Sequence, residues 1–149
     1  MSPFVTCGAG FLLAVLWMDL MFDVQVLRDR EDPLQERTLA SIAAYYARVT
    51  TAARPMNRLI AAVMLAAIAA AIIELSEGRH PAWVPWASLV LLLVPVLLAG
   101  GRIVPAASRL GSREDPPRRQ SELARAICRE HILCACLIAA LIALQLAFS

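Results

Sequence analysis

Four apolar blocks constrain this chain more than any other feature. Phe4–Phe22, Met56–Ile73, Trp83–Gly100 and His131–Phe148 each approach spanning length, and the stretches between them hold nearly all the charge. A bilayer core needs about 20 apolar residues per helix, with about 17 the lower limit. A soluble bundle would instead carry a polar face on each helix. "LIAAVMLAAIAAAII" (Leu59–Ile73) and "ASLVLLLVPVLLAGG" (Ala87–Gly101) have no polar stripe. The 60% hydrophobic content also exceeds the globular norm of roughly 45–50%. The sequence therefore predicts an all-α, four-transmembrane-helix bundle. It is one integral membrane domain over residues 1–149, with spans near 4–27, 56–75, 83–100 and 129–148. The first block is not read as a cleaved leader. It lacks a basic n-region and carries acids where a cleavage site would fall.

Arginine sets the expected orientation. All 14 basic residues are Arg. Six lie between the first and second spans (Arg28, Arg30, Arg37, Arg48, Arg54, Arg58), seven follow the third, and the second loop holds only Arg79. Basic loops stay in the cytoplasm, so loops one and three are expected inside and both termini outside, periplasmic in a bacterial inner membrane. The net charge of +2 comes from these flanks and their interleaved acids, which argues against a nucleic-acid partner. The expected partner is the lipid bilayer, with a homo-oligomer and a small-molecule or proton ligand as further expectations.

Between the first two spans, "REDPLQERTLASIAAYYARVTTAARP" reads as an additional amphipathic helix at the cytoplasmic interface. Asp32 is the expected N-cap, Pro33 suits the first helical position, and Gln35 would complete a capping box. Leu39, Ile42, Tyr45, Tyr46 and Val49 form its apolar face, and a break is expected before Pro55. Pro95 should kink the third span. The third loop, "GGRIVPAASRLGSREDPPRRQ", reads as irregular, with Ser121 capping the last helix.

Asp19 and Asp23 stand four residues apart and so share a helix face. A charge at helix centre costs about 2.5–3.5 kcal/mol on insertion scales, so Asp19 needs a partner, a wet cavity or a proton. The second span starts at the same depth with Asn57 and Arg58, and the fourth with Glu130 and His131. A polar inner-leaflet cluster of Asp19, Asp23, Asn57, Arg58, Glu130 and His131 is the expected site. No catalytic residue can be assigned from the sequence. Cys128, His131 and Cys134 share an arc but lack a fourth ligand, and His80 belongs to the opposite face, so neither metal nor haem is expected. The four cysteines read as free thiols.

Three functions fit the cluster. A proton-coupled transporter or channel-like protein would titrate Asp19 beside Arg58. An enzyme acting on a lipophilic substrate would use the Asp pair and His131 as acid and base. A purely structural bundle would use an Asp–Arg lock between the first two spans. At "YYARVTTAARPMNRL" (Tyr45–Leu59), after an acid-bearing first span, the chain resembles small bacterial four-helix integral membrane proteins of unknown function. Its layout is more loosely similar to the anthrone-oxygenase-like family. That resemblance implies the four-span architecture and, for the enzyme reading, a cofactor-independent oxygenase. It transfers no catalytic residue.

Overall fold

Helix α1 (Pro3–Asp23) is built on one packed stripe. Val5, Ala9 and Leu12 are buried, Leu16 is half-buried against the same core, and Asp23 and Val26 are buried further on. The steps of three and four residues are those of a left-handed bundle seam, as is usual for membrane helices. Asp19 and Asp23 therefore continue the register of the buried face instead of interrupting it.

The computed structural model describes residues 3–77 and 81–148. After α1 come α2 (Gln25–Arg28), α3 (Glu36–Thr51), α4 (Arg54–Glu77), α5 (Trp83–Leu98), a π turn (Ala99–Ile103), α6 (Val104–Ser112) and α7 (Pro117–Ala147). Four helical stretches are long and apolar enough to cross a membrane: Pro3–Arg28, Arg54–Glu77, Trp83–Ser112 and Pro117–Ala147. No strand occurs among the described residues. His80 lies outside them.

Two apolar cores run along the bundle. One joins α1, α4, α5 and α7 through Val5, Ala9, Leu12, Ala67, Ala71, Leu92, Ile138 and Leu141. The other joins α3, α6 and α7 through Leu39, Ile42, Tyr46, Leu110, Ile127 and Cys134. Leu16 touches both. Small residues allow the close crossings: a Cβ on Gly8 would stand 3.0 Å from the Ala67 Cβ. Free of large side chains, the two backbones approach closely and gain dispersion contacts, the main source of helix association in lipid.

Three local expectations are corrected. The third loop is helical through Ser112, because a π turn absorbs the Gly100–Gly101 pair and carries the helix without interruption into α6. Only the short stretch 113–116 separates the last two spanning stretches, with Arg113 at φ 56°. The helix after the first span starts at Glu36 with no side-chain cap, since the Asp29 carboxylate takes the Gln35 amide at 2.9 Å and the Gln35 side chain turns back to Glu31 at 2.8 Å. Ser121 lies inside α7, which begins at Pro117; its hydroxyl donates to the Pro117 carbonyl at 2.8 Å and accepts the Leu34 amide at 2.9 Å. The break before Pro55 falls at residues 52–53, between α3 and α4.

Helix α6 crosses α3 with almost no clearance. A Cβ on Gly111 would meet the Ala47 backbone nitrogen at 2.8 Å and the Tyr46 carbonyl carbon at 3.1 Å, and backbone cannot swing aside. Gly111→Ala should therefore destabilise the protein by about 1–3 kcal/mol, the usual scale of overpacking. Gly101→Ala, where an added Cβ meets nothing within 4 Å, should have far less effect. Thermal unfolding of the two variants in detergent checks the difference.

Candidate functional site

Asp23 is 0% exposed, on the seam between α1, α3 and α7. An isolated carboxylate there would be prohibitively costly, so it must be bonded on both oxygens. Tyr46 on α3 donates its hydroxyl to Oδ1 at 2.7 Å. His131 on α7 places Nδ1 2.6 Å from Oδ2. The Tyr46 hydroxyl is also 3.5 Å from that imidazole nitrogen. One carboxylate thus fastens three helices.

One turn earlier, Asp19 accepts the Tyr45 hydroxyl at 2.5 Å. Its Oδ2 lies 3.9 Å from His131 Nε2. The imidazole therefore stands between two carboxylates, with Nδ1 towards Asp23 and Nε2 towards Asp19. Tyr45 is fixed by stacking on Phe22, with ring centroids 4.1 Å apart, and by an edge contact with Tyr46 at 5.2 Å. The result is a chain of five polar side chains: Tyr45, Asp19, His131, Asp23 and Tyr46.

The expected site residues divide accordingly. Asp19, Asp23 and His131 come together. Glu130 faces away and pairs with Arg102, with Nε to Oε1 at 3.2 Å. Asn57 donates to the Val49 carbonyl at 2.8 Å and ties the end of α3 to the start of α4. Arg58 is exposed, and no ion pair joins it to either acid among the described residues. The Asp–Arg lock is thus replaced by an Asp–His–Tyr lock. A long guanidinium stem at a span end reaches water easily, whereas the imidazole is held on the packed seam of α7. Tyr45 and Tyr46 were legible only as part of an apolar face. Their signal was the pairing of phenol hydroxyls with acids that lacked donors at the same depth.

A cavity of about 520 Å³ opens beside this chain. Asp19, His131 and Tyr46 are on its wall, and Thr50, Asn57 and Ser108 add further polar lining. Leu12, Leu16, Ile60, Met64, Val96 and Ile138 supply much of the apolar remainder. Asp23 is not on its wall. The volume is within the roughly 300–1,000 Å³ of ordinary ligand sites, and the pattern of apolar walls with a few convergent polar groups is the usual one.

A second buried polar group lies at the far end of the bundle. Gln145 on α7 donates to Glu74 on α4 and to Ser88 on α5, each at 3.0 Å. All three are buried and continue apolar seams, as Gln145 follows Ile138 and Leu141 on α7.

A helical bundle with four spanning stretches and buried polar seams defines a small multi-pass membrane protein. The comparison with protein families is consistent with that class: residues 2–148 match the SHR3 chaperone family, described as ER membrane protein SH3. The chain belongs to this family. No curated protein and no solved structure matches it. The family description names the ER membrane, whereas the sequence resemblance pointed to a bacterial inner membrane; a lipid environment and a multi-pass topology are common to both.

Tyr45 and Tyr46 are the only tyrosines in the chain, so they report on this site alone. Burial first, and then the bonded carboxylates Asp19 and Asp23, push both hydroxyls well above the ordinary phenol range. The folded state thus holds these protons more tightly than the unfolded chain, where phenols titrate at about 10. The associated stabilisation is fully present below about pH 10 and is lost as the pH rises beyond it. Tyrosinate absorbance in detergent should stay silent through pH 10 while the protein is folded, and should appear near that pH on denaturation. A folded protein whose tyrosines titrate normally would contradict the Asp–Tyr geometry.

Proposed function

We propose that this protein is a chaperone-type membrane protein that receives membrane-embedded partner segments at its cavity. The preferred segment carries a cationic or hydrogen-bond-donating side chain for Asp19. The observation that carries this reading is the cavity itself, with mostly apolar walls that also carry the Asp19 carboxyl and the His131 imidazole. Asp23 has both oxygens bonded, whereas Asp19 keeps Oδ2 3.9 Å from the nearest imidazole nitrogen, so the site can still accept a hydrogen bond or pair with a cation from outside. Asp19 stands nine residues inside the end of the first spanning stretch at Arg28, about 13 Å at 1.5 Å per residue. That depth lies inside a hydrocarbon core of about 30 Å, in the half nearer Arg28. A lone polar side chain on a partner helix would be costly at that depth and would gain most from a bonded acceptor. Membership of a chaperone family supports the same class of partner.

A second reading, proton-coupled transport, draws on the imidazole between two carboxylates. His131 faces the cavity side through Asp19 and the sealed side through Asp23, which is the order a proton relay requires.

The 13-to-1 division of arginines supports an orientation in which α3, α6 and the Asp–His end face the cytosol, in a bacterial or an ER membrane alike. Both termini then lie on the opposite face. Tags at either terminus should resist protease added from the cytosolic side, and a tag inserted after Glu114 should be cut.

One variant separates the functional readings. In nanodiscs, an otherwise polyleucine transmembrane peptide with one central Lys should bind the wild type about tenfold more tightly than the same peptide without it, in line with the roughly 1–2 kcal/mol of an interhelical polar contact. Asp19→Asn should remove that preference. Equal binding of both peptides to the wild type would sink the partner-segment reading. Transport instead requires proton flux in proteoliposomes that Asp19→Asn abolishes, and its absence from the wild type would remove that reading.

A further inference from the structure

A second, polar pocket of about 480 Å³ lies where the first spanning stretch ends and α3 begins. Gln25, Arg28, Asp29, Gln35, Arg37, Thr38 and Ser41 line it. It shares no residue with the Asp19–His131 cavity. Its position is fixed by the chain: Arg28 is the last residue of the stretch Pro3–Arg28, so the pocket sits at headgroup level.

Its charges are unevenly satisfied. Two acids next to it in sequence are already taken, Asp32 by Arg125 and Glu36 by Arg113. Arg28 and Arg37 form no ion pair among the described residues. The one acid on the wall, Asp29, is already occupied. It accepts the Gln35 amide at 2.9 Å and the Glu31 amide at 3.1 Å, and it takes a hydrogen bond from Thr38. Desolvation raises its pKa, but these bonds and the Arg125 charge outweigh that and hold the carboxyl below its ordinary value. It therefore remains a satisfied anion that leaves the guanidiniums free.

The wall also offers neutral donors. Gln25 donates to the Ser41 hydroxyl at 3.1 Å, which leaves the Ser41 proton available. The first turn of α3 adds the positive end of a 16-residue helix with no side-chain cap. Two planar guanidiniums without an ion pair, a hydroxyl and the first-turn amides of α3 suit the tetrahedral, multi-acceptor oxygens of a phosphate group.

We infer that this pocket binds the phosphate-bearing headgroup of an anionic phospholipid in the cytosolic leaflet. A membrane lipid is favoured over a soluble phosphate because the pocket opens at the level where headgroups already stand, so the bound lipid need not leave the bilayer. Arg28 and Arg37 contact the phosphate, and Ser41 and the α3 amides read the remaining oxygens. The lipid would brace the junction of α1, α2 and α3, directly behind the helix that carries Tyr45 and Tyr46.

Native mass spectrometry of the full chain in detergent, titrated with phosphatidylinositol phosphate or with phosphatidylcholine, tests this. The wild type should retain one phosphatidylinositol phosphate at least tenfold more tightly than phosphatidylcholine. Arg28→Gln combined with Arg37→Gln should abolish the difference, while Arg118→Gln with Arg119→Gln, the same charge loss elsewhere on the surface, should leave it intact. The delayed tyrosinate titration shows that each variant is folded. Equal losses in both double variants would reduce the effect to diffuse surface charge and overturn the pocket. Displacement of the lipid by inorganic phosphate at equal concentration would overturn the assignment to a lipid.

Discussion

Everything at the Asp–His end of this bundle depends on satisfying one buried carboxylate. Asp23 is sealed from solvent and holds Tyr46 of α3 with one oxygen and His131 of α7 with the other. Remove either partner and a desolvated charge is left half-bonded, which in a low-dielectric interior is far worse than having no polar group at all. The carboxylate therefore fixes the rotation of three helices at once. That is a task apolar packing performs poorly, since lipid competes with any greasy face for contact. The tight α3–α6 crossing at Gly111 then holds Tyr46 at the required depth.

The four spanning stretches are legible in the sequence because hydropathy and length act locally and need no tertiary information. Helical spacing and span direction fix the depth of Asp19, Asp23 and His131, which the bundle brings into contact. Arg58 and Glu130 shared that depth but not that direction. Depth follows from counting residues, whereas the facing side chain depends on helix rotation. The rotation was in fact encoded: Val5, Ala9, Leu12, Leu16, Asp19 and Asp23 step by four and three, and a seam read at that spacing leads to both acids. The same reading on α7 leads through Ile138 and Leu141 to Gln145, and so to the Glu74–Ser88 group that composition alone passed over. The third loop misled because Gly, Pro and mixed charge ordinarily mark irregular chain. A π turn after Pro95 kept it helical.

Polar groups at both ends and apolar contacts between them divide the work of the bundle. The two buried groups set which helix faces which, and Ala67 and Ala71 with their small neighbours set how closely they approach. The Asp23 group differs from the Gln145 group in one respect: it is continued by Asp19 and His131 onto the wall of a cavity. A site that is fixed on one side by a saturated carboxylate and open on the other through a partly satisfied one combines rigidity with spare bonding capacity.

That cavity is not forced on the chain by sterics. Gly100 lies on its wall, and a Cβ there would meet nothing within 4 Å, so a larger side chain could begin to fill the space. Packing such a void ordinarily stabilises a helical protein, because its lining atoms lack contacts on one side. The chain instead surrounds it with Ala61, Ala99, Gly100 and Ala107 and lets the π turn carry the backbone past it. A bundle shaped by stability alone would close this volume. The open volume instead lies beside the Asp19 carboxylate, whose second oxygen is 3.9 Å from the nearest imidazole nitrogen.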